Sequence, residues 1–153
     1  MSAAKVTVSR RTVSSSKAGM QFDVGMLVSV ILLVMAVLQL VSFSSFKDWL
    51  SAVGFTSPAA WGAVIIIVEI AGALSFVKLK MPPIGRMATR TCAVLASGYW
   101  LVQNIRLISD ASSVNNSGFF GKYLAQTPSW LTVIEATILV LLTIYALEQT
   151  KEV

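Results

Sequence analysis

One stretch constrains this chain more than any other: Pro58 to Lys78 is almost wholly apolar, with a single carboxylate, Glu69, in its middle. An apolar run of that length crosses a bilayer as a helix. Ser57 stands where a helix cap belongs, and Pro58 fits a first turn, where the missing N–H costs nothing. Trp61 sits near one end as an interfacial anchor would, and Lys78 and Lys80 close the other. With 1.5 Å of rise per residue, the roughly eight residues from Trp61 to Glu69 put the carboxylate about 12 Å deep. A charge at that depth is costly, so Glu69 must be neutral, paired, or turned toward a polar interior. Around it Ala71, Gly72, Ala73 and Ser75 leave room for a second helix to approach closely.

The rest of the chain has the same character. Of its 153 residues 56% are hydrophobic and 12% charged, a balance that belongs to a multi-spanning membrane protein. The net charge of +5 is gathered at segment ends, which reads as membrane topology and not as a nucleic-acid surface. Histidine is absent, removing the commonest zinc, haem and proton-shuttle ligand, and no metal site is expected. Cys92 is the only cysteine, so neither an intrachain disulfide nor a CxxC redox pair can form.

Three further apolar segments complete the expected fold: an all-α, four-helix transmembrane bundle over residues 23–148, between tails at 1–22 and 149–153. Val24–Phe43 carries no formal charge and only one amide, Gln39. Next, Phe46, Trp49, Leu50 and Val53 recur at helical spacing in Ser44–Thr56. This predicts a short amphipathic helix between helices one and two, with Ser45 and Asp48 as a capping box and Gly54 as its stop. It either lies on the outer membrane surface or packs over the bundle's own end. Pro82 and Pro83 interrupt a basic turn that also holds Arg86 and Arg90. Thr91–Ile108 then offers Ala93, Ala96, Ser97 and Gly98 as a small-residue face and turns polar at Gln103, Asn104 and Arg106. The last segment, Trp130–Leu147, follows a cap-and-proline pair, Thr127-Pro128, and carries Glu135.

Basic residues set the orientation. Lys5, Arg10, Arg11, Lys17, Lys78, Lys80, Arg86, Arg90 and Lys151 fall on one side, against Lys47 and Lys122 on the other, with Arg106 at its boundary. The positive-inside rule then places both termini in the cytoplasm of a cell (inner) membrane. A transit peptide for an organelle membrane shares the Arg/Ser-rich, acid-poor look of residues 1–22. In this orientation Gln39, Gln103, Asn104, Arg106 and Glu135 converge in the outer half, with Glu69 just below them. Similar depth makes Arg106 and Glu135 candidates for an ion pair. The long loop Ser109–Ser129 carries Asn116, Gly118, Phe119, Phe120 and Gly121, which reads as a partner-docking surface. The competing reading tucks both rings into the bundle mouth.

The order of these features resembles the DoxX-like superfamily, and within it the methylamine-utilisation protein MauE branch. The matching parts are Phe46 to Gly54, Gly54-Phe55-Thr56-Ser57-Pro58, Val68-Glu69-Ile70-Ala71-Gly72-Ala73, the basic turn, and Asn116-Ser117-Gly118-Phe119-Phe120-Gly121 before Trp130. They cover roughly residues 24–147. MauE-like proteins often carry a C-G-C-F-G loop suited to disulfide chemistry. Here Ser117 and Phe119 stand at the two cysteine positions, and without thiolates no thiol–disulfide exchange occurs. Other DoxX-like proteins are partners of quinone-linked oxidoreductases, a role that needs no cysteine. Three functions are therefore open. The first is a non-catalytic accessory or structural subunit of a larger membrane complex, contacting membrane lipids and other membrane subunits. The second is a quinone-linked oxidoreductase membrane subunit, and the third a small proton-coupled transporter using Glu69. No cofactor is required, with quinone or lipid the ligand classes compatible with the chain.

Overall fold

The structure, a computed structural model, describes residues 23–109 and 114–150. The basic tail and the Lys151 end lie outside the described residues. Within them the chain is all-helical and without strands: α1 (Val24–Val41), α2 (Phe43–Ala52), α3 (Pro58–Leu74), α4 (Pro83–Ser109) and α5 (Trp130–Gln149). Two of the five, α1 and α5, are long and apolar enough to cross a membrane, and α3 is a shorter apolar helix.

Several boundaries differ from the sequence expectation, each for a local reason. Asp23 caps α1, its carboxylate accepting from the Gly25 and Met26 amides. Neither Ser45 nor Asp48 caps α2, because the helix begins earlier, at Phe43. Ser57 occupies the cap position of α3 but its side chain makes no capping bond, and Pro58 alone marks the start. At the other end α3 stops at Leu74 instead of running to Lys78. Ser75 folds back onto Gly72 O through its amide (3.1 Å) and hydroxyl (2.7 Å), while Phe76 turns inward beside Gly25. Arg86 and Arg90 lie not in a turn but in the first two turns of α4, which Pro83 opens. Finally, Ser129 and Thr132 form the capping box of α5, displacing Thr127-Pro128 from that role.

The four longer helices close into an antiparallel ring in which α1 and α4 each pack against both α3 and α5. Opposite residues show the alternation: Ser29 Oγ donates to Ala73 O, Gly72 faces Ala93, and Arg90 Nη2 donates to Thr150 O. A Cβ at Gly72 would stand 2.8 Å from Ala93 Cα, so glycine is what lets α3 and α4 approach backbone to backbone. Gly98 takes no part in this seam, since nothing lies within 4 Å of its missing Cβ. Its α4 neighbours Ala93, Ala96 and Ser97 are buried as expected.

Helix α2 settles the choice left open above. Phe46, Trp49 and Leu50 are buried and the helix packs on α3, so it folds over the end of the bundle instead of lying apart on a surface. Gly54 ends this excursion with φ of 94°, a conformation glycine adopts without penalty.

The outer surface is as apolar as the core, where Val28, Leu32, Met35, Ile66 and Leu139 are buried. Val37 and Leu40 of α1, Val64 and Ile67 of α3, Val102 and Ile105 of α4, and Leu141 and Ile144 of α5 are all exposed. Inside lie Ser29, Gln39, Glu69, Ser97, Asn104, Thr132 and Thr143. Ser97 and Thr143 satisfy their hydroxyls on carbonyls one turn back, so they burden the interior little.

Candidate functional site

Glu69 is fully buried, at 0% exposure, and organises the interior. Its Oε1 accepts from Trp100 Nε1 at 2.6 Å and from Gln39 Nε2 at 3.2 Å. The same Gln39 amide also donates to the carbonyl of Phe119, at 3.1 Å. Three helices, α1, α3 and α4, thus meet at one carboxyl group, and Gln39 links the loop before α5 to them. Glu69 Oε2 and Gln39 Oε1 are buried with no hydrogen-bond partner among the described residues. No Lys or Arg forms an ion pair with Glu69 there, so the carboxyl is held by neutral donors alone.

Trp100 is both a donor to Glu69 and the centre of an aromatic stack. Its ring lies 5.1 Å from Phe119, nearly parallel at 22°, with Tyr99 edge-on and Trp49 tilted on other sides. Phe46 extends the stack beyond Trp49, and Phe120 beyond Phe119. Offset aromatic contacts of this kind add to simple burial. They fix the indole so that its N–H points at Glu69.

The loop over the site is built to reach inward. Trp49 Nε1 donates to Asn116 O at 2.8 Å, Asn116 Nδ2 to Gly121 O at 2.9 Å, and the Gly118 amide to Asn116 Oδ1 at 3.1 Å. Gly118 has φ of 80°, and a Cβ there would stand 2.5 Å from the Trp49 ring. Gly121 has φ of 61° and abuts Ser42 and Leu38 of the α1 end. Phe119 is consequently 3% exposed. This corrects the docking-surface expectation for Asn116, Gly118, Phe119, Phe120 and Gly121. Phe119, Gly118 and Gly121 are buried, Asn116 and Phe120 half-buried, and the segment plugs the bundle mouth because its ring has Trp100 to stack on.

The polar convergence predicted from sequence assembles in part. Gln39 and Glu69 touch; Asn104 is buried one turn from Trp100 and donates to its carbonyl at 2.8 Å, leaving its own Oδ1 unpartnered. Gln103 is also buried, at 4% exposure. Arg106 and Glu135 do not join them. Arg106 is exposed, with interactions of its own, and no ion pair links it to Glu135. Glu135 is half-buried and accepts from Gln126 Nε2 at 3.3 Å, in a groove between α1 and α5. The expected pairing rested on depth alone, whereas facing direction decides it.

Sequence reasoning missed Trp100, Tyr99, Gln126 and the Phe119 carbonyl. Trp100 was within reach, since it lies four residues before Asn104 and therefore on the same helix face. A main-chain carbonyl carries no sequence signal. Among the described residues no group of three or more His, Cys, Asp and Glu could hold a metal ion. Cys92 is half-buried and unpaired. Comparison with protein families matches none, and comparisons with curated proteins and with solved structures likewise return no match.

Proposed function

We propose that the chain is a non-catalytic, multi-pass membrane protein, an accessory or structural subunit of a larger membrane complex. Its spans would be α1, α3, α4 and α5, with α2 and the Phe119 loop covering the outer end. The observation that carries this reading is the exposed apolar surface: large aliphatic side chains stand on the outward faces of all four helices. Water would not tolerate so much exposed apolar surface, while a lipid core requires it. Helix α3, at 17 residues, lies at the short end of the spanning range of about 17–25. Lys78, Lys80, Arg86 and Arg90 at one end of the bundle favour cytoplasmic termini in a cell membrane.

In this reading Glu69 is structural glue. Its bonds join elements distant in sequence, and the carboxyl is fully buried. The DoxX-like resemblance is part of the proposal and supplies the accessory role. Purification of the native assembly in a mild detergent tests it: further membrane subunits should accompany the chain. A solitary chain would contradict the accessory role, and stoichiometric quinone would favour the quinone-linked subunit instead.

A further inference from the structure

Between α1 and α5 runs a groove of about 370 Å³, within the roughly 300–1,000 Å³ typical of ligand sites. Val34, Ile138 and Leu142 give it apolar walls, and Phe120 lies with Gln126 and Glu135 toward the loop. Glu135 and Leu142 are seven residues apart, about 10 Å along α5, so the groove runs as an almost wholly apolar channel away from one carboxyl group.

The polar end is formed by the Glu135 carboxyl group beside Gln126. Gln126 spends its Nε2 on Glu135 Oε1, at 3.3 Å. Its own Oε1 is buried without a partner. The second Glu135 oxygen receives no hydrogen bond among the described residues. A ligand head here meets the second Glu135 oxygen with an N–H or O–H donor, and a carboxylate favours a cation. Depth narrows the class. Glu135 lies five residues, about 8 Å, along α5 from the exposed Trp130. If Trp130 marks the interface, a head carried directly on its tail reaches that level better than one spaced beyond a phosphate.

We infer that this groove binds a single-tailed amphiphile whose head is a protonated amine, with an N–H donor meeting the second Glu135 oxygen. The inference rests on the membrane reading above. Nothing in it requires Glu69, which does not line the groove.

The test uses the full chain in phosphatidylcholine nanodiscs, titrated calorimetrically with dodecylammonium, dodecyltrimethylammonium and dodecanol against empty discs. Dodecylammonium should bind saturably and at least about tenfold tighter than its trimethyl analogue, which has the charge but no N–H donor. Glu135→Gln should erase that preference. Ile138→Trp, which fills the groove but keeps the carboxylate, should weaken binding of both cations. Equal affinity for the two cations, a preference that survives Glu135→Gln, or no saturable binding would overturn the inference. The same preparations are washed with alkaline carbonate before solubilisation. Release from the membrane contradicts the membrane reading, whereas a retained chain without ammonium preference contradicts the groove assignment alone.

Discussion

Trp100 Nε1 and Glu69 Oε1 stand 2.6 Å apart, the shortest side-chain hydrogen bond in the described structure, and this contact ties α4 to α3 at the centre of the bundle. Gln39 adds the bond from α1 to the same oxygen, so removing Glu69 strands the Trp100 N–H and leaves Gln39 Nε2 with only the Phe119 carbonyl. Glu69→Leu should destabilise the bundle by about 1–3 kcal/mol, measured by unfolding in mixed micelles. Trp100→Phe removes one donor and keeps most of the ring. A double-mutant cycle between the two should show coupling of about 0.5–2 kcal/mol. Additive losses would mean that the bond contributes nothing of its own.

Phe119 stacks on Trp100 and is almost wholly buried. Phe119→Ala should therefore cost about 3–5 kcal/mol, the usual range for a buried ring. Half-buried Phe120 should cost less when truncated. The measurement is thermal unfolding of the purified chain, and an unchanged midpoint for Phe119→Ala would return this loop to the surface.

Two glycine pairs separate sterics from composition. Gly72→Ala drives a methyl group into the Ala93 backbone, while Gly98→Ala enters open space. The first should destabilise measurably. The second should be neutral or stabilising, by about 1 kcal/mol at most. Likewise Gly118→Ala combines a positive φ with a clash against Trp49, but Gly54→Ala meets only the backbone term, about 1–2 kcal/mol. If Gly118→Ala costs no more than Gly54→Ala, the loop does not press on Trp49 as described.

Arg106 and Glu135 have no ion pair between them, so their effects should be independent. The double change Arg106→Leu/Glu135→Leu should equal the sum of the singles to within about 0.5 kcal/mol. A double variant more stable than that sum would restore the pairing that depth suggested.

Much of the fold was legible because helices announce themselves by length, hydropathy and their ends. The starts at Val24, Pro58 and Trp130 match the apolar segments, and Gly54 ends α2 as its sequence implies. Helix ends inside apolar sequence were not legible: α3 closes at Leu74 because Phe76 finds a place beside Gly25, a tertiary fact. The site divides the same way. Glu69 and Gln39 stand out as lone polar groups in apolar helices, and they do meet. Which way Glu135 faces is set by how α5 packs against α1, and a carbonyl such as that of Phe119 has no residue type to mark it.

In the proposed membrane arrangement four helices, not two, face lipid around this polar centre. Spin labels at Val37→Cys, Ile67→Cys, Val102→Cys and Leu141→Cys, one on each helix and all on exposed apolar positions, read it directly in a Cys92→Ser background. In reconstituted bilayers, power saturation compares collision with oxygen, which concentrates in lipid, against a water-soluble nickel chelate. All four labels should favour oxygen. If Ile67→Cys or Val102→Cys instead favours the chelate, α3 or α4 faces water and the four-helix transmembrane bundle is contradicted.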